Sequence, residues 1–130
     1  MKRLTYERVL RMHRWNIEQT GGCDGIRDEG LLDAALEAPF QTFDAQPLWP
    51  SVESRAARLA TGIIRNHPFL DGNKRTGILA MLVFLRINHA DILVSDAELV
   101  ELGLAVASGK METEQVREWI VARQLPYLGD

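Results

Sequence analysis

His67-Pro68-Phe69-Leu70-Asp71-Gly72-Asn73-Lys74-Arg75-Thr76-Gly77 runs directly into Ile78-Leu79-Ala80-Met81-Leu82-Val83-Phe84-Leu85. Pro68 drives the residue before it out of the right-handed helical region, so a preceding helix ends here and the His67 imidazole stands at a loop entrance. Gly72 lets the backbone turn closely into the next helix. From 78 to 85 no polar residue interrupts the sequence, and a helix apolar all round belongs in the middle of a bundle. The core therefore fixes the first turn of that helix in space.

That first turn carries Lys74 and Arg75, the wrong charge for a helix amino end, which already bears a partial positive charge. Free backbone N–H groups, the dipole and two cationic side chains at one point describe a phosphate site. Gly72 and Asn73 have poor helix propensity and suit a tight anion-binding turn. His67, whose ordinary pKa is about 6.5, is the side chain suited to take a proton from a hydroxyl beside that phosphate. Asp71 suits two roles, N-cap of the helix or hard-oxygen ligand for Mg²⁺ shared with nucleotide phosphates. The stretch is not a Walker A loop, because Asn73 rather than Gly precedes Lys74.

The rest of the chain reads as helices. Residues 5–20 carry Val9, Leu10, Met12, Trp15 and Ile17 at loose helical spacing, and Gly21-Gly22 stops them. His13, between Arg11 and Arg14, reads as a surface or packing residue. Asp28 caps a second helix with Leu31, Leu32, Ala35 and Leu36 on its apolar face, ended by Pro39. Residues 40–50 lack any helical period and form a loop or short hairpin, with Phe40 and Phe43 covering the core. A helix over 51–66, with Val52, Ala56, Leu59, Ala60, Ile63 and Ile64 on one side, delivers His67 to the site. Ile92-Leu93-Val94 forms an extended connector and His89 a loop residue. Ser95 with Glu98 forms a capping box for a helix bearing Leu99, Val100, Leu102, Leu104 and Val106. Thr113 caps the last helix, with Val116, Trp119 and Ile120. The expected fold is an all-α bundle of about six helices, with a short irregular flap before the motif.

Bulk properties agree with one domain over 1–130. The 130 residues are 46% hydrophobic and only 7% aromatic, suiting a helical core. The net charge of −3, with no Lys/Arg block, lacks the footprint of direct nucleic-acid binding. The single Cys23 fits a reducing compartment, and no apolar run has the length of a signal peptide or membrane span. A cytoplasmic protein is expected.

The motif resembles the Fic/Doc superfamily. The adenylylating Fic branch carries His-x-Phe-x-Asp/Glu-Gly-Asn-Gly-Arg; the death-on-curing (Doc) toxin branch carries His-x-Phe-x-Asp-Ala-Asn-Lys-Arg-Thr-Ala. His67, Phe69, Asp71, Asn73, Lys74, Arg75 and Thr76 match the Doc pattern, with Gly72 and Gly77 in place of its two Ala residues. The length and helix order are similar to a Doc toxin over nearly the whole chain. Arg65 matches an Arg at that position in Doc; it reads either as a phosphate contact or as a helix-end cation favoured by the dipole.

The resemblance implies ATP and Mg²⁺ as substrate and cofactor. His67 is then the general base, Asp71 the metal ligand, and Arg65, Gly72, Asn73, Lys74 and Arg75 the nucleotide and phosphate contacts. Fic enzymes carry a second Arg where this chain has Ile78, and Gly where it has Lys74. In the Doc branch that lysine is associated with inverted ATP binding, so that the γ-phosphate faces the histidine. A polar Asn of the Doc motif helix is replaced by Leu79.

The implied activity is phosphoryl transfer to a Ser/Thr hydroxyl of a target protein, a translation factor such as elongation factor Tu, by the toxin of a toxin–antitoxin pair. A Fic-type adenylyl transferase and a non-catalytic binding module are the alternatives. The self-restraining Ser/Thr-x-x-x-Glu-Gly/Asn helix of many Fic proteins has no clean copy, Ser108 with Glu112 being nearest. Restraint is therefore expected from an antitoxin laid as a helix in a surface groove. In the superfamily the segment corresponding to 40–50 forms a flap that positions the target polypeptide.

Overall fold

The computed structural model describes residues 1–129, leaving only Asp130 of the expected domain outside them. Six helices run in order: α1 Tyr6–Thr20, α2 Glu29–Glu37, α3 Val52–Asn66, α4 Asn73–Ile87, α5 Asp96–Ala107 and α6 Thr113–Ala122. The flap is a hairpin, with β1 Thr42–Phe43 antiparallel to β2 Gln46–Pro47. Its turn residues Asp44 and Ala45 both have positive φ, 52° and 63°, the handedness that matches the twist of a two-residue hairpin.

The bundle is built around the α3–α4 pair. α3 buries Ala56, Ala57, Leu59, Ala60, Ile63 and Ile64; α4 buries Thr76, Gly77, Ile78, Ala80, Met81, Phe84 and Leu85. Small residues bring the two axes close. A Cβ at Gly77 would stand 2.7 Å from Ile64 Cγ1 and 3.2 Å from the Ala60 carbonyl, so this crossing admits only glycine without a shift. α4 is not apolar-buried all round, because Leu79, Leu82 and Val83 stay half-exposed on one flank.

Caps mark most helix starts. Thr5, Asp28 and Ser51 accept the N–H of Arg8, Leu31 and Ser54. Ser95 and Glu98 form the expected capping box. Thr113 is not the cap of α6: Glu112 holds that place, with Gln115, and the Thr113 hydroxyl instead lies 2.8 Å from that of Thr61.

Four side chains depart from the sequence reading. Trp15 is exposed, because the inner stripe of α1 is Val9, His13 and Asn16. Phe40 does cover the core, edge-on to Phe84, whereas Phe43 at the hairpin is 75% exposed. Val100 and Leu104, one turn apart on α5, are 62% and 54% exposed, since only the Leu102 and Val106 side meets the bundle.

Candidate active site

α3 ends at Asn66, and His67 takes a left-handed conformation, φ 55° and ψ 52°, as its C-cap. This breaks the helix as the Pro68 argument requires, and it leaves the imidazole exposed. Phe69 turns inward and is fully buried, worth about 2 kcal/mol as apolar burial. Gly72, at φ 77°, then sets the N-cap of α4, with no side chain closing the cap and no acid in the first turn.

The loop between these helices is held from three sides. Inside it, Asn73 is 3% exposed and spends its amide on Phe69, accepting that residue's N–H and donating to its carbonyl, each at 3.0 Å. From the α1–α2 connection, Ile26 bridges Phe69, and the N–H groups of Arg27 and Asp28 both donate to the Pro68 carbonyl. The Arg27 guanidinium donates to the carbonyls of His67 at 2.6 Å and Asn66 at 2.8 Å, a cation placed where the α3 dipole is negative.

From α1, His13 is 2% exposed and stacks on the Phe69 ring at 3.8 Å and 5°. Its Nε2 lies 2.7 Å from the Asp71 carbonyl. Asn16 reaches the Thr76 hydroxyl at 3.5 Å. His13 is thus a packing residue as one reading of the sequence allowed, and not a surface one.

One open cavity of about 140 Å³ collects His67, Asp71, Gly72, Asn73, Lys74 and Arg75. Its size suits phosphate groups more than an entire nucleotide. The N–H groups of Asn73, Lys74 and Arg75 precede the first intrahelical bond, and among the described residues none has an acceptor. These donors and the Lys74 and Arg75 side chains share the cavity with the exposed imidazole of His67.

Asp71 is not the N-cap. Its Oδ1 accepts the Gly72 N–H at 2.9 Å and its Oδ2 the Cys23 N–H at 3.3 Å, while the carboxylate stays exposed at the cavity. Gly22 lies so close that a Cβ there would be 2.5 Å from Asp71 Oδ2. Among the described residues no three His, Cys, Asp or Glu side chains cluster as a metal cage. A Mg²⁺ ion shared with phosphates requires only one or two carboxylates, and Asp71 fits that requirement.

Two expected contacts are placed differently. The Asn73 side chain is buried and pairs with the Phe69 backbone through its oxygen and one of its N–H groups, while its backbone N–H stands at the start of α4. Arg65 lies outside the cavity altogether: its guanidinium donates to Glu112 and the Met111 carbonyl at 2.6 Å each, and to the Val106 carbonyl at 3.3 Å. It ties α3 to the α5–α6 connection, which the sequence offers no means of foreseeing. Ile78, where a second arginine stands in the Fic pattern, is buried. The Lys74 Cβ stands 3.6 Å from the Cβ position of Gly103, which places α5 beside this lysine.

The model of the Fic/DOC family matches residues 3–85. Toxin Doc of Mycolicibacterium smegmatis is 44% identical over 72 residues, 55% of this chain and 55% of that protein. Protein kinase doc of Escherichia phage P1 is 29% identical over 118 residues, 91% of this chain and 92% of that protein. The similarity thus spans about half the length of the mycobacterial relative and nearly all of the phage one.

Proposed function

The chain belongs to the Fic/DOC family, on its Doc-toxin branch, and we propose that it transfers the γ-phosphate of ATP to a Ser or Thr hydroxyl of a target protein. The observation that carries this reading is the uncapped start of α4, where unpaired N–H groups and two cations face the same cavity as His67 and Asp71. Phosphoryl transfer requires little covalent chemistry from the protein; positioning and charge stabilisation do most of it.

His67 accepts the proton of the target hydroxyl as its oxygen bonds to the γ-phosphorus. The bond from that phosphorus to the β–γ bridging oxygen breaks, and ADP leaves. Lys74, Arg75 and the first-turn N–H groups hold the phosphate oxygens as charge moves toward the leaving group. Asp71 would hold Mg²⁺, which would supply further neutralisation of the phosphate charge.

Lys74 supports γ- over α-transfer, because it occupies space that a glycine would leave to the outer phosphates. Ile78 supports it as well, since an adenylyl transferase of this family places a second arginine there. The name of the phage relative, a protein kinase, points the same way.

Restraint by an antitoxin helix fits the apolar face that α5 leaves exposed at Val100 and Leu104, residues at the i, i+4 spacing such a helix would cover. Among the described residues no helix is long and apolar enough to cross a membrane. We place the protein in the cytoplasm, where ATP and a translation factor such as elongation factor Tu would be available as substrates.

The test uses ATP labelled at the γ- or the α-phosphate, with Mg²⁺ and cell extract. Transfer of γ-label to protein, lost in His67→Ala, is expected. Transfer of α-label instead would assign adenylylation, and label transfer by His67→Ala would remove the imidazole from the reaction.

A further inference from the structure

A second cavity of about 400 Å³ opens between α3, the start of α6 and the residue following the hairpin. Arg58, Thr61, Arg65, Asn66, Thr113 and Trp49 line it, with the Glu112 carboxylate that Arg65 already holds. Two guanidinium groups against one carboxylate leave one positive charge over. It resides on Arg58.

Arg58 is half-buried, with one guanidinium nitrogen 3.4 Å from where a Cβ on Gly62 would stand. Among the described residues its guanidinium makes one hydrogen bond, a long one of 3.5 Å to the Thr61 hydroxyl, and no carboxylate lies within ion-pair distance. Burial, then the charge of Arg65, pulls its pKa below the ordinary arginine value. A desolvated guanidinium without a counter-ion costs stability, and a docked anion would offset that cost.

We infer that this cavity takes a carboxylate side chain of the target polypeptide and so makes the enzyme selective for an acidic residue near the modified hydroxyl. Three placements favour a peptide as the source of the anion. The hairpin beside the cavity has all four strand residues exposed, with Phe43 and Leu48 as apolar contacts, so an extended chain can lie along it. Trp49 connects that hairpin to the cavity. Asn66 lines this cavity and His67 the phosphate cavity, so the two adjoin at consecutive residues.

From Arg58 to His67 the helix advances about 13 Å, at about 1.5 Å per residue. An extended peptide covers that in about four residues at about 3.3 Å each. The acid is therefore expected about four positions from the acceptor Ser or Thr. This rests on the proposed transfer reaction for its meaning, but the site itself is tested by binding alone.

The experiment is a titration of the intact ¹⁵N-labelled protein, without ATP, with an extended nine-residue peptide. The peptide carries one threonine and a glutamate four positions from it, and its glutamine counterpart serves as comparison. The glutamate peptide is expected to shift the Arg58 Nε–H and Trp49 indole resonances and to bind about tenfold tighter, the worth of one charge-assisted pair. In Arg58→Gln that preference should vanish while Tm stays the same or rises, and Arg58→Lys should retain part of it.

Equal binding of the two peptides would overturn the inference, as would a preference that survives Arg58→Gln. So would inorganic phosphate shifting the same resonances more strongly than the peptide, which would make this a small-anion site. γ-Phosphate transfer with no acid preference in binding overturns this site alone; acid preference without transfer overturns the reaction and leaves the site.

Discussion

The Nε2 of His13, in the middle of α1, donates to the backbone carbonyl of Asp71, 58 positions along the chain, at 2.7 Å. A carbonyl only accepts, so Nε2 carries a proton in this contact, and Nδ1 lies 3.6 Å from the Asp24 carboxylate. Through this bond and the stacked Phe69 ring, α1 sets the position of the peptide that carries the proposed metal ligand.

His13 is accordingly a positioning residue. His13→Ala is expected to reduce transfer at least tenfold and to raise the Mg²⁺ concentration needed for half-maximal rate, because a misplacement near 1 Å costs up to about 10²-fold. His13→Gln, whose amide can still donate, should recover part of the loss. An unchanged Mg²⁺ dependence in His13→Ala would deny the link to Asp71.

Asn73 is expected to act through Phe69 and not through phosphate. Asn73→Ala removes two buried hydrogen bonds and should cost about 2 kcal/mol, at about 1 kcal/mol per bond. Denaturant unfolding measures this. A stable Asn73→Ala protein with weakened nucleotide binding would return the side chain to the phosphate role.

At the α3–α4 crossing, Gly77→Ala should destabilise by about 1–3 kcal/mol through overpacking against Ile64. Pairing it with Ile64→Ala should cost less than the sum of the two single changes, because the truncated side chain frees the space the new methyl needs. Additive losses would place the clash elsewhere.

The Arg65 guanidinium beside Glu112 holds that carboxyl below the ordinary carboxylate range. With the folded value depressed, this contribution to stability is fully present above the unfolded pKa of about 4.3 and is lost as pH falls through the lower folded value. Glu112→Gln should flatten the acid side of the stability profile while leaving the slope above about pH 5 unchanged. An effect confined to neutral pH would contradict the pairing.

Lys74→Gly is expected to lower phosphoryl transfer and to admit adenylylation by vacating the outer-phosphate space. Unaltered γ-transfer by this variant would show that the lysine does not orient the nucleotide.

The helices were legible because 78–85 is continuously apolar, because 5–20 and 51–66 carry apolar residues at helical spacing, and because Asp28 and Ser95 are strong start signals. The six residues that line the phosphate cavity were legible because they lie within nine consecutive positions, 67–75. What α1 contributes was not, since His13 and Asn16 continue the inner stripe from Val9 but are polar, and an apolar count passes over them. The same stripe read for inward-facing polar residues would have flagged both. Arg27 and Arg65 bond to backbone carbonyls, which every residue carries, so no pattern in the sequence identifies their partners.

The most direct measurement is the intact mass of cellular proteins after incubation with this protein, ATP and Mg²⁺, beside a His67→Ala control. A gain of one phosphate that disappears with His67 is the predicted result. A gain of one AMP, a gain that persists in His67→Ala, or no gain in any protein would contradict the kinase assignment.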